Sequence, residues 1–271
     1  MNPGILICFL LAHFIADFPL QFRKIIDLRN NKDRFKALGG NALHSGIHFV
    51  LMVLCSVQYW SIKIFLVILA VTAVHFAVDC MKAGLVLKSR LKRFSISIFL
   101  FDQLIHVLCI LLFLYLARVP LPAEHLPELN VHMLKAVSLT FGQKVMLAFT
   151  LMIIGLWGVG VFIRLVLEKL NSAPRAQAIG FKLELMKTAG SPGTEDGGFI
   201  IGILERLFTM IAIVVNMPLM IGFILTVKSV ARLKKFEDER FVEVFIIGSF
   251  ISFISAIVAG YIIRLLEIIP Y

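Results

Sequence analysis

Charge is scarce in this chain. Of its 271 residues only 16% are Asp, Glu, Lys or Arg, while 59% are hydrophobic. A soluble domain carries about 25% charged and 45–50% apolar residues, so that class is excluded, and intrinsic disorder with it. The four cysteines, Cys8, Cys55, Cys80 and Cys109, lie inside apolar runs and form no CxxC pair. That excludes a disulfide scaffold and a cysteine-based zinc site. No Walker or Rossmann glycine spacing and no Gly-x-Ser-x-Gly elbow is present. No basic stretch is interleaved with aromatics as a nucleic-acid groove requires, so nucleic acid is not among the expected partners.

What the chain has instead is apolar length. Its mean hydropathy is +0.93, and apolar stretches cover approximately 4–22, 43–59, 64–86, 96–117, 145–166, 200–227 and 242–264. Runs of roughly 20 residues match the bilayer core, so the expected fold is all-α: a polytopic membrane helical bundle of about seven apolar segments in contact with membrane lipid. The first stretch has no basic segment before it and no A-x-A-like site after it, and is expected to stay as a helix.

Positive charge then orients the spans. The net charge of +10 is what an excess of Lys and Arg in cytoplasmic loops facing an anionic leaflet produces. Six Lys/Arg fall in 23–42, one in 60–63, five in 82–95 and two in 118–143. This alternation predicts an N-terminus outside a bacterial inner membrane, with 23–42 and 82–95 in the cytoplasm. Both 167–199 and 228–240 are also basic, yet a single span at 200–227 would separate them. As one helix that stretch would be about 42 Å long, and Asn216-Met217-Pro218 interrupts it. Two readings follow: a broken or re-entrant hairpin with its tip at 216–218, or one long kinked helix. The organisation expected is a four-helix domain over 1–118, an outside-facing proline-bearing linker over 119–143, and a C-terminal membrane domain over 144–271 with a cytoplasmic loop at 167–199.

Ionisable side chains inside apolar spans are costly and need a reason. Here they recur in one pattern. His13/Asp17, His44/His48, His75/Asp79 and Asp102/His106 are each four residues apart, one pair per span over the first four spans. On a helix, positions i and i+4 lie one above the other, so each span presents a two-ligand claw. Counted from the basic loops, all eight fall within a slab of roughly 15 Å on the cytoplasmic side, at 1.5 Å per residue. Imidazole with carboxylate suits Zn²⁺, Mn²⁺ or Fe²⁺, and eight donors exceed the need of one tetrahedral ion, so one or two divalent metals are expected. Interhelical His–Asp hydrogen bonds alone are worth only about 0.6–2 kcal/mol each, a poor return for burying so many ionisable groups.

The string Leu11-Ala12-His13-Phe14-Ile15-Ala16-Asp17-Phe18-Pro19-Leu20-Gln21, with His44-x-x-x-His48, His75-Phe76-x-x-Asp79-x-x-Lys82 and Asp102-Gln103-x-x-His106, resembles the bacterial membrane family of domain of unknown function 3307 over about residues 5–115. Residues 202–249 are similar to the C-terminal extension of its longer members. The resemblance implies a fold and a site and no particular reaction.

The functional expectation is therefore a metal-dependent hydrolase acting on a phosphoester or related bond of a lipid or lipid-linked substrate near the cytoplasmic face. All eight residues are expected as ligands or bases, with Asp17, His48, Asp79 and Asp102 in catalytic roles and Gln103 and Lys82 orienting substrate. Arg206, Lys228 and Arg232 are expected to contact a lipid headgroup or phosphate; the competing reading is snorkelling and ion pairing at helix ends. Two alternatives belong to other classes: a proton- or metal-ion-coupled transporter, and a non-catalytic module whose metal is structural. Protein partners have no signature in the sequence.

Overall fold

The computed structural model describes residues 2–86, 95–117, 139–171 and 197–268. The expected linker therefore lies almost wholly outside the described residues, as do most of the loops 82–95 and 167–199. The described residues are helical without strands, and six helices are long and apolar enough to cross a membrane. The chain is an integral membrane protein built of α-helices. It divides into two compact units, Met1–Ile153 and Ile154–Tyr271.

Unit 1 comprises α1 (Pro3–Asp17), α2 (Arg23–Arg29), α3 (Arg34–Cys55), α4 (Ile62–Val86), α5 (Ser95–Leu116) and α6 (Phe141–Ile153). Sequence chemistry marks the starts of these helices. Asn2 accepts from the Gly4 amide ahead of Pro3, Asp33 accepts from the Phe35 amide, and Thr140 and Gln143 exchange reciprocal side-chain bonds at the head of α6.

Two expectations change here. The first helix ends at Asp17 rather than near residue 22, because Pro19 has no amide hydrogen to carry the ladder past Phe18. At 15 residues it is about 22 Å long, short of the bilayer core. The basic segment 23–42 is no loop: it forms α2 and the first turns of α3, which begins nine residues before the apolar run that marked it.

The inward faces explain both packing and site. On α1 the stripe runs Ile5, Phe9, Ala12, then His13, Ala16 and Asp17. On α3 it runs Met52, His48, His44; on α4, Ile64, Ile68, Val71, His75, Asp79; on α5, Leu114, Ile110, His106, Asp102. Each stripe keeps the three-to-four spacing of one helix face. Each is apolar at one end and ionisable at the other. The apolar ends pack together as one core of Ile5, Phe9, Met52, Ile64, Ile68, Val71, Ile110 and Leu114, and the polar ends converge beyond it. Outward positions such as Leu54, Leu66, Phe101 and Leu112 are exposed, as lipid-facing residues must be.

Unit 2 opens with a π-helical turn, Ile154–Gly158, and continues through α7 (Val159–Asn171), α8 (Gly197–Val214), α9 (Leu219–Val230) and α10 (Glu239–Leu265). The stretch at 200–227 is a hairpin. Helices α8 and α9 flank a turn in which Asn216 takes φ 58°, and Lys228 Nζ returns to 2.7 Å from Glu205 Oε2. Along a continuous helix those residues would stand about 34 Å apart. Proline at 218 cannot extend α8 and instead sits at the start of α9.

Candidate metal centre

All eight ionisable residues of the first four spans are buried and meet in one cluster. Asp17 is its hub. Its Oδ1 lies 3.1 Å from His44 Nε2, 3.0 Å from His48 Nε2 and 4.0 Å from His75 Nε2. The two α3 nitrogens are 3.3 Å apart. These four donor atoms, from Asp17, His44, His48 and His75, all lie within 4.8 Å of one another. His75, Asp79 and His106 satisfy the same limit. Asp79 connects the groups: Oδ2 stands 3.3 Å from His75 and 3.7 Å from His44, while Oδ1 faces His106 at 4.0 Å. Asp102 Oδ1 lies 3.5 Å from His106, and His13 Nε2 lies 3.6 Å from Asp17 Oδ2.

The imidazoles form a packed layer. Ring centroids are 3.8 Å apart for His48 and His75 and 4.0 Å for His75 and His106, while His13 sits 5.3–5.7 Å from His48, His106 and His75. Their hydrogen bonding is incomplete. Nε2 of His13, His75 and His106 is buried with no hydrogen-bond partner, although each points toward carboxylate oxygen. Unpaired buried polar atoms are costly. A donor set of imidazole nitrogens and carboxylate oxygens that face each other across a few ångströms is the arrangement a borderline divalent cation satisfies, so the residues fit a metal.

Fixed cations complete the electrostatics. Lys82 Nζ lies 2.7 Å from Asp102 Oδ2 and 3.4 Å from Asp79 Oδ1. Arg29 Nη2 lies 2.7 Å from Asp79 Oδ2, and its Nε donates to Asn41 Oδ1 at 2.9 Å. Gln103 Nε2 donates to Asp17 Oδ2 at 2.7 Å. Thus Lys82 and Gln103, expected to orient substrate, hold carboxylates of the cluster.

Arg29 was not among the sequence candidates, because a lone arginine in a basic run reads as a cytoplasmic-loop charge. Its placement depends on Gly40. A Cβ there would come within 2.7 Å of the Arg29 amide nitrogen and 2.9 Å of the Leu28 carbonyl carbon, so only glycine lets the end of α2 lie against α3. The glycine pair inside an otherwise regular helix was the available signal.

A family model described as Protein of unknown function (DUF3307) matches residues 5–133, a segment that carries all eight cluster residues. Residues 5–133 belong to the DUF3307 family. No curated protein and no solved structure matches the chain. Within the DUF3307 segment, Asp17, His44, His48, His75, Asp79, Asp102, His106 and His13 come from four helices and meet at one end of the unit.

The three cations singled out beyond the DUF3307 segment have partners within unit 2. Arg206 is 3% exposed. It donates from Nη2 (2.6 Å) and Nε (3.2 Å) to the Leu156 carbonyl inside the π-helical turn, and from Nη1 (3.4 Å) to Ser252 Oγ. A π turn breaks the regular carbonyl ladder, and here the guanidinium fills the gap. Lys228 is paired with Glu205, and Arg232 lies 5.8 Å over the Phe245 ring.

Proposed function

We propose that the DUF3307 unit is a membrane-embedded, metal-dependent hydrolase that cleaves a phosphoester or related bond of a lipid or lipid-linked substrate at the cytoplasmic face of a bacterial inner membrane. The observation that carries this reading is the convergence of Asp17 Oδ1 with the Nε2 atoms of His44, His48 and His75 inside an apolar unit. These residues would hold one metal, and His75, Asp79 and His106 form an overlapping second donor group. A bound divalent ion acts as a Lewis acid and brings the pKa of a coordinated water near 7.

The chain's own residues take complementary roles. Asp17 and His48 serve as ligands, and Gln103 fixes the free oxygen of Asp17. Asp79 and Asp102 anchor Lys82, whose side chain is the most exposed of these groups at 30% and therefore faces an entering phosphoryl oxygen. His106, 3.5 Å from Asp102, is the proton-handling base.

One observation favours a proton-coupled reading. The close file His48, His75, His106 is the kind of arrangement that relays use. Against it stands the other half of every inward stripe, from Met52 to Leu114, which is hydrocarbon and offers a proton no onward step.

The test is metal content. Protein purified in detergent without added metal should carry Zn, Mn or Fe by mass spectrometry, and the His44→Ala/His75→Ala double variant should lose it. Retained metal then directs a phospholipid hydrolysis screen in which wild type releases product and the double variant does not. A folded, monodisperse wild type without tightly bound metal would overturn the hydrolase reading in favour of proton handling.

A further inference from the structure

The two donor groups of the centre are not equivalent. Asp17, His44, His48 and His75 supply four ligand atoms, and no Lys or Arg of the described residues pairs with that carboxylate within 4 Å. Four nitrogen and oxygen donors are enough to hold one ion, which takes a water by expanding to five-coordinate. The second group shares His75, whose Nε2 can serve one ion. Without it, Asp79, His106 and the adjacent Asp102 remain, and both of those carboxylates already have cations in contact: Arg29 at 2.7 Å and Lys82 at 3.4 Å on Asp79, Lys82 at 2.7 Å on Asp102.

We infer that the centre holds a single metal ion, on Asp17, His44, His48 and His75, with Arg29 and Lys82 as fixed protein cations where a second ion would stand. This rests on the metal-dependent reading above and sharpens it. Burial makes uncompensated charge expensive, so the sum over the cluster decides which occupancy is affordable. Three carboxylates against Arg29 and Lys82 leave one negative charge with the imidazoles neutral. One divalent ion turns that into one positive charge, and two would leave three positive charges among Ile, Leu and Phe.

The charge after one ion also specifies the ligand class. A single positive charge flanked by a guanidinium and an ammonium matches a monoanionic phosphodiester, the charge state of the phosphate that links glycerol to a phospholipid headgroup. A phosphomonoester dianion would overcompensate it.

Zinc stoichiometry tests the assignment. Metal-stripped protein in detergent, equilibrated with Zn²⁺ alone and dialysed, should retain one equivalent. His106→Ala and Asp102→Asn should each still retain one, and His44→Ala should retain none. The wild-type count needs no variant to fold, so it stands even if one of them fails. Two equivalents in wild type, with the second lost in His106→Ala, would overturn the single-ion assignment while leaving the metal-dependent reading intact. No zinc on folded wild type would overturn both.

Discussion

Arg29 Nη2 lies 2.7 Å from Asp79 Oδ2, both side chains nearly free of solvent, although one sits on a short basic helix and the other deep in an apolar span. Breaking such a pair strands a buried charge, typically at about 3–5 kcal/mol. Arg29→Ala should therefore lower unfolding stability in detergent by several kcal/mol, and adding Asp79→Asn should recover part of it. A double-mutant cycle by thermal or denaturant unfolding reads the coupling directly. Additive losses would show that the contact carries no energy.

Gly40 and Gly39 are adjacent in α3 but have opposite surroundings. Gly40→Ala drives a Cβ into the backbone of Leu28 and Arg29, whereas Gly39→Ala meets nothing within 4 Å. The first should cost about 1–3 kcal/mol as overpacking. The second should stabilise by up to about 1 kcal/mol through helix propensity. Paired melting curves decide it.

In unit 2, Arg206→Leu would leave the Leu156 carbonyl in the π-helical turn without its guanidinium. A buried acceptor left unpaired costs about 1–3 kcal/mol. Gly160→Ala should destabilise too, since its Cβ would stand 2.7 Å from Phe199 and 2.9 Å from Arg206 Nη2. Both changes should leave the metal content of the DUF3307 unit untouched, which mass spectrometry checks.

Metal removal should destabilise wild type alone. A ligand at a hundredfold excess over its Kd adds about 2.7 kcal/mol to the folded state. A chelator should therefore lower the melting temperature of wild type and leave that of His44→Ala/His75→Ala unchanged. Equal shifts in both would place the metal elsewhere.

Much of the DUF3307 site was legible because a helix converts sequence spacing into geometry. Four i,i+4 pairs at similar distances from basic segments had to share a face and a depth, and the structure joins all eight. The turn at 216–218 was legible for a similar reason, since proline and a length of about 42 Å left few options. What was not legible depends on contacts between helices. Arg29 carries the same composition as its neighbours Arg23 and Lys24, and only the approach of α2 to α3 distinguishes it. Arg206 looked like a headgroup contact because a sequence does not announce a π turn, and the carbonyl that claims the guanidinium lies fifty residues away. Hydropathy also misplaced the ends of α1 and α3, because it reports where carbon is dense and not where the backbone is helical.

The order in which the donors occur along the chain bears on biogenesis. Asp17 belongs to α1 and His44 and His48 to α3, while His75 arrives only with α4. Three of the four donors thus meet as soon as the first helical pair closes, before α4 and α5 are in place to shield them. On the metal-dependent reading, an imidazole–carboxylate trio at a membrane interface would be open to cations from water at that stage. Metal present during synthesis would then reach three of the four donors without having to cross the closed bundle.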